Sequence, residues 1–205
     1  MKLVIAIDGP AAAGKGTLAR RIAAALGLPY LDTGLLYRAV GRRVLDAGGD
    51  PKDAVAAEET ARALRRSDLD RNDLRGPEAD RAAASVAAIK GVRAALLDFQ
   101  RNFGAETGAV LDGRDIGTVI FPDAPVKLFV TASLAERARR RWAELRGRGE
   151  AADLAEVAQD LEARDTRDAP NMKRAADAVL LDTSTLDADA AFEAAMETIR
   201  QRIHR

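Results

Sequence analysis

Residues 9–17 have the types and spacing to hold a phosphate group. Two glycines, Gly9 and Gly14, bracket Pro10, Ala11, Ala12 and Ala13, and Lys15, Gly16 and Thr17 follow at once. An apolar run, Leu3-Val4-Ile5-Ala6-Ile7, precedes this stretch, and an Ala/Leu/Ile-rich helical pattern follows it. Gly-x4-Gly-Lys between a strand and a helix reads as a P-loop. Glycines let main-chain N–H groups curl around phosphate oxygens, and the next helix turns its positive end toward the same anion. Lys15 supplies a cation that can follow charge on the β- and γ-phosphates. One position departs from the general motif. Gly16 stands where a hydroxyl residue usually follows the lysine, and the hydroxyl comes one later, at Thr17.

A phosphate-binding loop says only that a nucleotide binds; what happens to it depends on other groups. Arg38 lies one helical turn beyond Thr33-Gly34, so a phosphate near that helix start could meet its guanidinium. Arg114 follows an apolar strand pattern within Asp112-Gly113-Arg114-Asp115, and Arg93 adjoins Val92 on a long helical stretch. Arg137, Arg139, Arg140, Arg141, Arg146 and Arg148 crowd one segment, and Arg164 and Arg167 come a helix later. Glu136, Glu144 and Glu150 could pair with some of them on a solvated face. Phosphoryl transfer, however, needs cations clamping oxygens while charge moves from donor to acceptor. An Arg-rich helical hairpin folding over a P-loop would supply these and exclude water. Trp142, inside that segment, is expected to pack the hairpin.

These groups need a frame. Strands are expected at 3–7, 30–32, 109–111, 126–130 and around Leu180-Leu181. Helices are expected at 15–26, ended by Gly27, and from about Leu35 to Leu45, closed by the breaker cluster 46–51. Residues 52–82 are charged and Ala-rich, with helical patches and no convincing strand. Val92, Leu96, Phe99 and Phe103 fall on one helical face, as do Phe192, Met196, Ile199 and Ile203. Ser133 and Glu136 have capping-box spacing. Strands alternating with helices predict a doubly wound parallel α/β sheet, with ligands at the carboxyl ends of its strands. Three polar clusters fall at such ends: Asp8-Gly9, Asp32-Thr33-Gly34 and Asp112–Asp115.

Composition narrows the classes. With 205 residues and 47% hydrophobic side chains, the chain can bury a core without staples. Lys+Arg and Asp+Glu are 32 each, and aromatics are 4%, which argues against a nucleic-acid or membrane-surface binder. Absence of Cys removes thiolate nucleophiles and Cys-based metal sites. The lone His204 is expected at the surface. The N-terminal apolar run is too short for a signal peptide or a membrane span, so the cytoplasm is the expected location.

Taken together, the motifs resemble the bacterial cytidylate kinases, of the nucleoside monophosphate kinase superfamily, over nearly the whole chain. IDGPAAAGKGT is similar to that family's ATP loop, in which glycine follows the lysine, and YLDTGLLYR to its acceptor motif. VAAIKGVRAALLDFQR and LDGRDIGTVIFPDAPVKLFVTAS resemble its longest signatures. ARDTRD and AADAVLLDTS resemble its lid and last strand. DGRDIGTVIFPDAP also separates the chain from adenylate kinases, which carry Gly-Phe-Pro-Arg there. The nearest rival is thus another small-acceptor kinase, and a nucleotide-driven switch is a more distant one.

The resemblance implies a P-loop kinase fold: a five-stranded parallel sheet flanked by helices (core 1–34, 104–133 and 175–205), a helical CMP-binding subdomain (35–103) and a short helical lid (about 134–174). It implies transfer of the γ-phosphate of ATP, with Mg²⁺, to CMP and dCMP, by a monomer that needs neither nucleic acid nor membrane. Thr33, Arg93 and Asp115 would meet cytosine, and Arg38 and Arg114 the CMP phosphate. Arg164 and Asp168 would touch the pentose, while Arg137, Arg141 and Arg164 clamp the transferring phosphates. Thr17 and either Asp32 or Asp112 could meet Mg²⁺ through waters. Three places depart from the family's pattern. Ala84 replaces the usual serine, with Ser85 displaced by one. Asn171 stands where many relatives carry arginine, with Lys173 or Arg174 nearby. The subdomain insert shrinks to about residues 67–84.

Overall fold

The computed structural model describes residues 2–203, so His204 lies outside the described residues. The chain forms two compact units. One comprises the segments up to Leu31 and from Thr107 onward, and the other spans Asp32–Glu106.

The first unit is built on a five-stranded sheet in the order β2-β3-β1-β4-β5. Its strands are β1 (Val4–Asp8), β2 (Tyr30–Asp32), β3 (Ala109–Gly113), β4 (Val126–Thr131) and β5 (Val179–Asp182). β1 pairs in parallel with both β3 and β4, and β4 in parallel with β5. All five residues of β1 and of β3 are buried. That is why both read as unbroken apolar runs rather than alternating ones. The connection from β1 runs toward β2 at one edge, and that from the adjacent β3 runs the other way, to β4. The crevice that opens there lies at the carboxyl ends of the strands, just after Asp8.

Helix α1 (Lys15–Leu26) lays Leu18, Ala19, Ile22 and Ala23 on this sheet and stops at Gly27, in the left-handed region with φ 63°. The C-terminal helix, here α8 (Ala188–Ile203), packs Ala191, Ala195, Met196 and Ile199 into the same core. The predicted stripe is thus displaced. Phe192 is half-buried, with the Arg21 guanidinium 4.4 Å from its ring centroid, and Ile203 is 44% exposed. The last turn of α8 passes beyond the cluster that holds Ile199.

The Arg-rich segment forms a hairpin of α6 (Leu134–Gly147) and α7 (Leu154–Asp168). Ala138, Val157, Leu161 and Trp142 pack together with Ala11 of the glycine-bracketed loop, and the Trp142 indole N–H donates to the Ala152 carbonyl at 3.0 Å. Trp142 therefore packs the hairpin, as expected. Only half of the predicted capping box forms. Ser133 Oγ accepts from Glu136 N, but the Glu136 carboxylate turns to Arg139 and Arg140, and Ser133 N donates to Ser184 Oγ. Two guanidiniums outcompete one amide for the carboxylate.

The second unit is helical: α2 (Thr33–Asp46), α3 (Ala54–Arg62), α4 (Pro77–Ala87) and α5 (Lys90–Thr107), with a 3₁₀ turn at Arg66–Asp70. α2 starts two residues earlier than its apolar pattern suggests, because Asp32 Oδ1 caps it by accepting from Gly34 N at 2.9 Å. Helices α2 and α4 pack through small residues: a Cβ on Gly41 would stand 2.7 Å from the Ala82 Cβ. On α5 the buried seam is Val92, Leu96, Gln100 and Gly104, so Phe99 and Phe103 are half-buried flanks rather than the centre. Successive steps of four residues turn the seam by 40° each, away from positions seven and eleven along. Gln100 satisfies itself at the core by donating to the Leu96 carbonyl at 2.9 Å. No helix among the described residues is long and apolar enough to cross a membrane.

Two tests of this framework follow from local geometry. Gly108, between α5 and β3, has φ +83°, and a Cβ there would stand 2.4 Å from the Leu3 carbonyl oxygen. Gly108→Ala is expected to lower unfolding free energy by about 2–4 kcal/mol in urea titrations, from backbone strain plus overlap. The Arg139 guanidinium, with Arg140 beside it, holds the Glu136 carboxyl at about 2 against an ordinary 4.5. A depressed carboxyl stabilises the fold above its unfolded pKa, and that contribution fades as pH falls from about 4.5 toward 2. Glu136→Gln should therefore flatten the loss of stability between about pH 5 and about pH 3, read by denaturant midpoints.

Candidate active site

The loop from Gly9 to Gly14 begins where β1 ends. Gly9 has φ +142°, and a Cβ on it would meet the Val130 carbonyl oxygen at 1.9 Å, so the loop can leave the sheet only by pressing bare backbone against β4. Ala12 at the loop's turn has φ 60°, the one positive value among the described non-glycine residues. Strain of this kind persists only where the surroundings enforce it. Gly14, also left-handed, opens α1 without any side-chain cap. The first N–H groups of that helix are thus left for an anion. Lys15 is only 6% exposed, and its Nζ donates to the Pro10 carbonyl across the loop at 2.8 Å. The ammonium is in this way held over the concavity that the loop encloses.

A ring of arginines and carboxylates surrounds the loop in the same unit. Arg137, on α6, is buried and fully engaged. Its guanidinium reaches the Ala132 carbonyl at 3.0 Å, the Ala11 carbonyl at 3.3 Å and both Asp165 oxygens at 3.1 and 2.6 Å. Arg137 therefore props the phosphate loop from behind while facing α7. One turn further along α7, Asp168 accepts from Arg114 Nε at 2.8 Å, and Arg164 Nε lies 3.8 Å from the same carboxylate oxygen. The structure thus gathers Arg114, Arg164 and Asp168, which lie 54 residues or fewer apart in sequence. Arg141 instead pairs with Glu144 on a partly exposed face at 2.9 Å.

Arg114 and Asp115 are themselves fixed by Asp8. After Asp115 the chain makes one π-helical turn, Ile116–Ile120, whose first two N–H groups donate to the two Asp8 oxygens at 2.8 Å each. Burial pushes the Asp8 carboxyl above its ordinary value, and these two amides only partly offset that. Asp115 is buried beside it.

In the helical unit, Thr33 is buried at the start of α2. Arg38 donates through Nε and Nη2 to Asp80 Oδ1 at 3.0 and 2.7 Å. The Arg93 guanidinium lies 6.0 Å from the Tyr37 ring centroid.

Sequence reasoning missed a cavity of about 310 Å³ beside the loop, lined by Gly14, Thr17, Arg140, Thr183, Leu186 and Asp187 among others. Arg140 shapes it, donating to Thr183 Oγ1, the Thr183 carbonyl and the Leu186 carbonyl at 3.0, 2.6 and 3.3 Å. Thr183 Oγ1 in turn donates toward the Ala13 carbonyl at 3.2 Å. Nothing in the sequence separates Arg140 from its neighbours. Thr183 could have been found, because it follows the carboxyl end of β5.

Among the described residues no cluster of three or more His, Cys, Asp or Glu could cage a metal ion. Mg²⁺ does not require one, since it keeps several waters and binds through one or two carboxylates plus substrate phosphates. The buried Asp112 carboxylate and the Thr17 hydroxyl, in the unit that carries the loop, are donors of that kind. Asp32 has one oxygen engaged in capping α2.

Comparison with known proteins identifies the family. A family model described as cytidylate kinase matches residues 5–201. The chain is 62% identical to the cytidylate kinase of Acidiphilium cryptum, covering 99% of this chain and 98% of that one. It is 60% identical to the cytidylate kinase of Granulibacter bethesdensis (98% and 99% covered) and 59% identical to that of Paramagnetospirillum magneticum (97% and 98%). Among solved structures, an uncharacterised protein from Eubacterium ventriosum aligns with a TM-score of 0.56 at 14% identity, over 100% of both chains. A Thermus thermophilus protein aligns at 0.52 and 20%, over 98% of each. At that identity, both attest the fold alone. A family match across nearly the whole chain, with full-length relatives near 60% identity, leaves one assignment: the protein belongs to the cytidylate kinase family.

Proposed function

We propose that the protein transfers the γ-phosphate of ATP to CMP, and to dCMP, giving ADP and the corresponding diphosphate. The observation that carries this reading is the pairing of a lysine-bearing phosphate loop with a second set of guanidiniums, Arg114 and Arg164, gathered on Asp168. A second guanidinium set held on its own carboxylate suits an acceptor that is itself an anion.

ATP would lie with its phosphates on the main-chain N–H groups of residues 9–17 and its adenine in the cavity walled by Arg140, Thr183 and Leu186. Thr33, Arg38, Arg93, Arg114 and Asp115 would hold CMP, with Arg164 and Asp168 at its pentose. An oxygen of the CMP phosphate attacks the γ-phosphorus in line, and the bond to the β–γ bridging oxygen breaks as ADP departs. The attacking oxygen is already anionic, so no general base is required. Catalysis then consists of alignment and of neutralising charge on the transferring group. Lys15 follows the β- and γ-oxygens, and Arg114 and Arg164 neutralise the acceptor side. Arg137 and Arg141 are assigned to the lid around the transferring group. The Ala11 carbonyl bond suggests that Arg137 acts largely by holding the loop. Mg²⁺, met by Asp112 and Thr17 through waters, would supply further neutralisation of the phosphates. The α6–α7 hairpin is the element suited to shielding the reaction from water.

The ion pairs of two acceptor-side arginines fit this reading. Arg38 on Asp80 and Arg114 on Asp168 are each held by one carboxylate, which orients the guanidinium before an anion arrives.

Lys15→Met and Arg114→Ala are each expected to lower kcat at least about 10²-fold, the scale of one preorganised transition-state donor. Turnover near wild type in either variant would overturn the scheme. Arg38→Ala should raise the KM for CMP about tenfold or more with a smaller effect on kcat, as befits a charged acceptor contact. A panel of AMP, CMP, UMP, dCMP and shikimate, followed by ADP formation, tests the acceptor class. Preference for AMP or shikimate over CMP would contradict the assignment.

A further inference from the structure

Gly16 departs from the general phosphate-loop pattern, and its surroundings say what occupies the space. A Cβ built on Gly16 would stand 3.4 Å from Asp112 Oδ2, 3.4 Å from the Tyr30 hydroxyl and 3.5 Å from Arg20 Nη1. Three polar groups from β3, β2 and α1 therefore converge on a bare Cα beside Lys15. The Tyr30 hydroxyl donates to Asp112 Oδ1 at 3.3 Å, and the Arg20 guanidinium lies 5.8 Å from the Tyr30 ring centroid. Asp112 is buried at the carboxyl end of β3, the strand that neighbours β2 in the sheet.

From this juxtaposition we infer that Tyr30 is a positioning residue: its hydroxyl fixes the Asp112 carboxylate so that Oδ2 faces the nucleotide loop, in the space that the side chain after the P-loop lysine fills elsewhere. The inference rests on the functional reading above, in which Asp112 meets the divalent cation of the bound nucleotide. A carboxylate held by one oxygen has one rotational state about its last bond, and its other oxygen then has a fixed direction. Without the phenol, Asp112 Oδ1 loses a donor, and more of the entropy of fixing the carboxylate falls on cation binding. A serine at position 16 would be sterically admissible, since 3.4 Å is ordinary contact, and its hydroxyl would come within reach of Asp112. A hydroxyl at position 16 and the hydroxyl of Tyr30 are thus two solutions to one requirement, and this chain uses the second.

Three proteins test it: wild type, Tyr30→Phe, and Tyr30→Phe combined with Gly16→Ser. Phenylalanine keeps the ring that packs against the sheet core, so the melting temperature of Tyr30→Phe should stay within a few degrees. Mn²⁺ binding to the ATP complex, without acceptor, is read by electron paramagnetic resonance of the free ion. Tyr30→Phe is expected to weaken Mn²⁺ about three- to tenfold, the reach of one oriented hydrogen bond, with the KM for CMP unmoved. Adding Gly16→Ser should recover most of that loss. Wild-type Mn²⁺ affinity in Tyr30→Phe would overturn the inference. So would an equal loss with and without the serine, because a hydroxyl placed beside Asp112 would then not be what cation binding depends on. Turnover of CMP by wild-type protein reports separately on the functional reading, so either can fail alone.

Discussion

Cations gathered to meet phosphate repel one another, and the fold exists around the carboxylates that hold them in place. Lys15, Arg114, Arg137, Arg140 and Arg164 all lie in one unit. Asp165, Asp168 and Glu136 hold three of these guanidiniums at 2.6–2.8 Å. Where such a pair is buried, as at Arg137, removing one partner strands the other charge, which costs about 3–5 kcal/mol. The chain's balanced charge, 32 against 32, is the bulk expression of that local requirement. A phosphate-binding protein with an equal stock of acids is one whose basic groups are individually placed.

The same carboxylates link parts of the chain that have no other reason to meet. Asp8 ends the strand that leads into the phosphate loop and also ties down the turn after Arg114 and Asp115. Arg137 joins the loop's Ala11 carbonyl to α7, and Thr183 joins Ala13 to the strand edge and to Arg140. Each tie is short-ranged, yet together they make the loop's geometry depend on β3, β4, β5 and the hairpin. Strain at Ala12 can persist because of them. The convergence of Tyr30, Asp112 and Arg20 on Gly16 belongs to the same pattern, with a neutral hydroxyl in the role of tie.

How much of this was legible in the sequence follows from how local each feature is. The strand–loop–helix of residues 4–26 was readable because apolar runs, glycines and lysine sit within one short stretch. The ends of β2 and β3 were readable because polar clusters interrupt buried strands there. The seam of α5 was misread by its aromatics: Gln100 takes a core position by bonding its own helix, which no hydrophobic pattern announces. The partners of the arginines were not readable either. Arg114 and Asp168 are 54 residues apart, Arg38 and Asp80 42, and Arg140 and Thr183 43. Nothing in the spacing of the arginine run distinguishes Arg140, which shapes a cavity, from Arg141, which pairs at the surface.

The central claim is that phosphate moves between two nucleotides rather than to water. Phosphorus magnetic resonance on a mixture of ATP, CMP and Mg²⁺ with the purified protein tests it most directly. Resonances of ADP and CDP should grow together in equal amounts, with inorganic phosphate at background. Growth of inorganic phosphate in step with ADP, and no CDP, would contradict it.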